Sequence, residues 1–135
     1  MGMVRSGDKI FFTATTLGNM SELWITDGTA EGTRVIKTNT TGTTASVFTR
    51  IISDGSDGVY FGVSTQAGLQ LWYSDGTIEG TIFIKQVSNL PHQSFDNMLV
   101  VGAKIYLSFN DGSNGSELWI SDGTFAGTML LKDIV

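Results

Sequence analysis

The chain has no cysteine, one proline (Pro91) and one histidine (His92). Without cysteine there is no disulfide framework, no thiolate nucleophile and no cysteine-ligated zinc, although the compartment stays open. One histidine leaves a zinc site or a histidine-based triad short of parts. His92 follows Pro91 in the longest linker and reads as a solvated loop residue. Basic residues are also few: eight Lys and Arg against thirteen Asp and Glu, for a net charge of -5. A nucleic-acid binder needs a basic face, and so does a protein of anionic membrane surfaces, so neither partner is expected. No apolar run reaches membrane-spanning length. The stretch MGMVRSGDKI has no apolar core of a secretory signal, which leaves localisation undetermined.

What the sequence does have is glycine (17 residues) and a 41% hydrophobic fraction, with frequent Thr, Ser, Val, Ile and aromatics. That is the composition of short strands joined by glycine turns. A length of 135 residues is enough for one domain with its own core.

The dominant feature is a repeat. SELWITDGTAEGTRVIK runs from Ser21 to Lys37, QLWYSDGTIEGTIFIK from Gln70 to Lys85, and ELWISDGTFAGTMLLK from Glu117 to Lys132. All three tryptophans fall inside these copies. Leu, Trp, Asp-Gly-Thr, Gly-Thr and Lys recur in each. The register extends upstream, where Lys9-Ile10-Phe11-Phe12 aligns with Gly58-Val59-Tyr60-Phe61 and Lys104-Ile105-Tyr106-Leu107. The chain is therefore one repeat domain, 1–135, of three units spanning about 3–45, 46–93 and 94–135. A period in the forties suggests propeller blades or a similar array.

Each unit reads as four strands, in the second copy 47–53, 58–64, 69–74 and 80–87. The links SDGSDG, TQAG and SDGTIEG have hairpin-turn chemistry. The expected fold is all-β: three four-stranded antiparallel meanders. They read as propeller blades, with a β-trefoil as the alternative. Alternation in the last strand sets Ile82 and Ile84 against Phe83, and Met129 and Leu131 against Leu130. The second strand sets Val59, Phe61 and Val63 against Tyr60. Strands apolar on both faces suit a blade packed between two others.

At ELWITDGTAEGT, QLWYSDGTIEGT and ELWISDGTFAGT the chain resembles the ELWxxDGT repeat family, found as tandem copies in large bacterial proteins. The resemblance covers essentially the whole chain. It implies a propeller-like β-architecture and an exported or surface-associated setting, and it implies no enzymatic activity. The chain departs from the pattern at Gln70 and at Ala126, where the other copies have Glu.

Three blades are too few to close a ring. An apolar face at each end would stay open, so the expected partner is a second copy, bound head to tail to make a six-bladed ring. A glycan or a protein is the expected ligand class, and no cofactor or metal is called for.

Two readings fit the repeated motif. In the first it is a structural joint. Trp24, Trp72 and Trp119 pack between units, while Asp27, Gly28 and Thr29, Asp75, Gly76 and Thr77, and Asp122, Gly123 and Thr124 build turns. In the second it is a sugar site, with Trp24 and Glu22, Trp72 and Gln70, and Trp119 and Glu117 offering an apolar ring and hydroxyl acceptors. Repetition favours the joint. Asp54, Asp57, Asp111 and Asn114 resemble calcium loops only faintly, and turn chemistry explains them better. Glycosidase-type carboxylates would appear in threefold copies, unlike a single active site. The expected function is a non-catalytic structural or binding module for protein or cell-surface interaction. The alternative is a lectin. The linkers TNTTGTTAS and SNLPHQSFDN differ most between copies and are the expected carriers of specificity.

Overall fold

The computed structural model describes residues 2–16, 21–38, 46–113 and 115–134, among which there are twelve strands and no helix. The first repeat forms β1 (Met3–Ser6), β2 (Lys9–Thr15), β3 (Ser21–Thr26) and β4 (Arg34–Thr38). The second forms β5 (Val47–Ser53), β6 (Val59–Ser64), β7 (Leu69–Ser74) and β8 (Thr81–Ser88). The third forms β9 (Asn97–Val101), β10 (Lys104–Asn110), β11 (Ser116–Ser121) and β12 (Met129–Lys132). Each repeat is one four-stranded antiparallel sheet in which every strand pairs with its sequence neighbours. Among the described residues no strand of one repeat pairs with a strand of another.

The sheets pack face to face. On the first sheet Phe11, Leu23, Ile25 and Ile36 meet Phe48, Val59, Phe61 and Val63 of the second. The opposite side of the second sheet presents Leu69, Leu71, Ile84 and Val87 to Ile105, Leu107 and Phe109 of the third. Period-two alternation in the central strands produces most of each face, because neighbours along a strand point to opposite sides. The middle sheet is thus covered on both sides, and each outer sheet on one. The first strands of the repeats lie side by side, β5 between β1 and β9. Phe95, from the linker SNLPHQSFDN, is buried in the second joint, so this linker supplies core as well as surface.

The last strand departs from the expected alternation. Leu23 pairs with Lys37 but Trp24 pairs with Val35, so Ile36 is an extra residue in β4. The same shift recurs between Leu71 and Trp72 and between Leu118 and Trp119, with Ile84 and Leu131 as the extra residues. A bulge breaks the period of two and re-aims the residue it contains. Ile82 and Ile84 consequently do not share an environment: Ile82 and Phe83 are both exposed, while Ile84 is buried. In the third repeat Met129, Leu130 and Leu131 are all exposed. Strand bounds also shift slightly, with β6 starting at Val59 and β8 running Thr81–Ser88.

Candidate functional site

The Asp-Gly-Thr turn is one hydrogen-bonded unit built three times. In the first copy Asp27 Oδ1 accepts the Thr29 backbone N–H at 2.9 Å and the Thr29 hydroxyl at 2.6 Å. Thr29 Oγ1 accepts the Gly32 N–H at 2.9 Å, and the Thr33 hydroxyl donates to the Thr29 carbonyl. Asp75, Thr77, Gly80 and Thr81 repeat every bond, as do Asp122, Thr124, Gly127 and Thr128. The residue before the Asp completes the turn: Thr26, Ser74 or Ser121 accepts the N–H of Gly28, Gly76 or Gly123.

Both motif glycines have physical causes. Gly28, Gly76 and Gly123 sit at φ of 94°, 94° and 88°, a region costly for residues with a Cβ. A Cβ on Gly32, Gly80 or Gly127 would lie 2.0 Å from the aspartate Oδ1 of its own turn. The Thr hydroxyl, and then the Thr backbone N–H, hold the carboxyls of Asp27, Asp75 and Asp122 below the ordinary value of 3.8.

Each tryptophan shares a sheet face with the polar residue two positions before it. Trp24 Nε1 donates to Glu22 Oε2 at 2.9 Å, and Trp72 Nε1 donates to Gln70 Oε1 at 2.9 Å. Gln70 therefore departs from Glu without loss, since the indole needs only an acceptor oxygen. The third pair differs. Glu117 is buried and its Oε2 accepts the Ile134 N–H at 2.6 Å. Its Oε1 and Trp119 Nε1 are buried with no hydrogen-bond partner. Rings pack beside each indole: Phe12 on Trp24, Phe61 and Phe83 on Trp72, and Phe109 on Trp119.

The lysine that closes each motif has a role that went unassigned in the sequence. Lys37 Nζ stands 4.0 Å from the centre of the Trp72 ring, in the next repeat. Lys85 Nζ stands 6.0 Å from the Trp119 ring and 4.6 Å from Phe125, and donates to the Thr128 carbonyl at 2.8 Å. Burial pushes the Lys37 ammonium below its ordinary pKa. Arg34 adds another bond across the first joint, Nη2 to the Gly76 carbonyl at 3.1 Å. The available signal was the recurrence of Lys in every copy.

A cleft of about 430 Å³ opens where β5 approaches the first and third repeats. Gly2, Thr13, Phe48, Thr49, Arg50, Ser94 and Phe95 line it. Gly2 N–H donates to Thr13 Oγ1 at 2.8 Å, and Arg50 Nε donates to the Phe95 carbonyl at 3.1 Å. Thr49 Oγ1 is buried without a partner. These residues lie outside the repeated motif, so repetition did not point to them.

The aspartate loops are turns. Asp54 Oδ1 accepts the N–H groups of Ser56 and Gly58, and its Oδ2 accepts the Tyr73 hydroxyl at 3.0 Å. Burial first, and then this bond, push the Tyr73 phenol up to about 12. Asp111 Oδ1 accepts the Ser113 N–H at 3.0 Å. Asn114 and most of TNTTGTTAS lie outside the described residues. Among the described residues no three acidic or histidine side chains come together as a metal site. His92 is exposed at φ 58°. No family model, no curated protein and no solved structure matches this chain.

Proposed function

We propose that the chain is a non-catalytic binding module built of three β-propeller blades, a rigid scaffold for protein or cell-surface recognition. One observation carries this reading: the residues that repeat are spent on joints and turns. Each Asp-Gly-Thr aspartate turns its Oδ1 to two bonds inside its own loop. The rings of Trp72 and Trp119 have a lysine of the preceding repeat near their faces. Recognition then falls to what differs between copies: the linkers and the cleft beside Arg50. Blades are favoured over a trefoil because the meanders stack face to face and, among the described residues, share no strand pairing. The resemblance to the ELWxxDGT family fits the same reading.

A second reading, a lectin with repeated tryptophan sites, draws on Trp24, the one indole with no cation over its ring among the described residues. A glycan array and saturable binding of the labelled chain to whole cells test the pair. The module reading expects cell binding that weakens at least tenfold in Arg50→Glu and survives Trp24→Phe. Glycan binding lost in Trp24→Phe, with Arg50→Glu unaffected, supports the lectin and overturns the module.

A further inference from the structure

The outer faces of the first and third sheets are the two halves of a joint already present twice inside the chain. At each internal joint a leading face, the side of a sheet that carries Leu and the bulged residue, meets the tryptophan side of the next sheet. Ile36 and Ile84 occupy the bulge in the first two repeats and are 6% and 3% exposed. Leu131, their equivalent in the last repeat, is 49% exposed. On the tryptophan side Val59 and Ile105 are 0% and 1% exposed, whereas the equivalent Ile10 is 37% exposed. The open faces are therefore not random apolar surface. Each lacks the neighbour that its equivalents have.

Two finer features match across the gap. A Cβ on Gly76 would lie 2.8 Å from Ile25 of the preceding repeat, and one on Gly123 would lie 3.0 Å from the Tyr60 hydroxyl. A Cβ on Gly28 would meet no described atom within 4 Å beyond its chain neighbours. The equivalent of Tyr60 in the last repeat is Tyr106, on the open leading face. Likewise Lys37 and Lys85 reach the next tryptophan, while Lys132 is exposed and, among the described residues, Trp24 has no cation above it.

We infer that a second copy of this chain fills both openings. The third sheet of one chain packs on the first sheet of the other, with Lys132 over Trp24 and Tyr106 beside Gly28. This inference rests on the blade reading proposed above. The joint is heterologous, so it either closes into a ring or grows without end. Propellers have about four to eight blades, and six is the only multiple of three in that range. Two chains thus close one ring through two identical joints.

The test uses the whole chain with two charge insertions: Ile10→Asp on the tryptophan face and Leu99→Asp on the leading face, where Leu99 is 62% exposed. Sedimentation equilibrium is expected to give twice the chain mass for the unaltered protein. It is expected to give the single-chain mass for each variant alone, with an unchanged circular dichroism spectrum. An equimolar mixture of the two variants retains one intact head and one intact tail, so a two-chain species reappears. A single-chain mass for the unaltered protein, open-ended polymers, or a dimer indifferent to both variants overturns the inference. An absence of rescue on mixing overturns the head-to-tail geometry. Hydrogen exchange separates this failure from failure of the blade reading. Protected amides in β6 and β7 of a single-chain species leave the blades standing, and fast exchange there removes them.

Discussion

The middle sheet and the outer sheets are made from the same motif, yet they live in different surroundings. Phe61, in β6, is fully buried between two sheets and stacks on Trp72. Phe12, its equivalent in β2, stacks on Trp24 in the same way but lies on an open face. The local structure is therefore a property of the repeat, whereas burial is a property of position in the array. Stability in such a chain is a sum of unit terms and joint terms, and the ends forgo one joint term each.

The largest expected effect breaks this comparison directly. Phe61→Ala empties a covered position and is expected to cost about 3–5 kcal/mol in urea unfolding. Phe12→Ala is expected to cost about 1 kcal/mol in the separated chain, where water already reaches the ring. Were two chains to join as proposed, the two losses would converge, and a concentration series of unfolding curves tests this.

The second effect concerns glycines with the same backbone and different neighbours. Gly28 and Gly76 both have φ of 94°, so alanine strains each backbone alike, by about 1 kcal/mol. At Gly76 the new methyl also meets Ile25 at 2.8 Å, while at Gly28 it meets no described atom. Gly76→Ala is expected to cost about 1–3 kcal/mol more than Gly28→Ala in the separated chain. Thermal unfolding of the pair measures the difference, and equal losses would show that the first joint is looser than described.

The smallest effect is one in which middle and ends should agree. Asp27, Asp75 and Asp122 are held below their ordinary pKa by bonds inside their own turns. A carboxyl lowered in the folded state stabilises the fold above its unfolded pKa, and this is lost as pH falls through the folded value. Acid unfolding therefore carries a component below about pH 4. Asn at all three positions retains the acceptor oxygen and flattens that component. Because the three aspartates are exposed, single Asp→Asn changes are expected to be alike at every repeat. A larger effect at Asp75 would tie the turn to the joints.

The Asp-Gly-Thr turn was legible in the chain because each bond in it spans a few residues. Carboxylate, hydroxyl and glycine meet through backbone geometry that any copy of the motif reproduces. The Trp24–Glu22 and Trp72–Gln70 pairs were legible for a similar reason, as residues two apart share a strand face. The last strand was misjudged because its bulge is set by pairing with the neighbouring strand, and alternation alone carries no trace of one extra residue. The Lys37–Trp72 contact was not legible because the partner lies in the next repeat. The Arg50 cleft has no repeated signal, since it forms where segments from three repeats converge.

The amino-acid order by itself determined the repeat, the four-stranded units and the closed turns, because these rest on contacts between residues near in sequence. Only the tertiary structure decided which equivalents are covered and which are open, that Phe95 belongs to the core, and which tryptophans carry a lysine over the ring. Those outcomes depend on which sheet stands beside which. Three copies of one motif cannot specify that one at a time, because each copy makes the same local structure whichever sheet stands beside it.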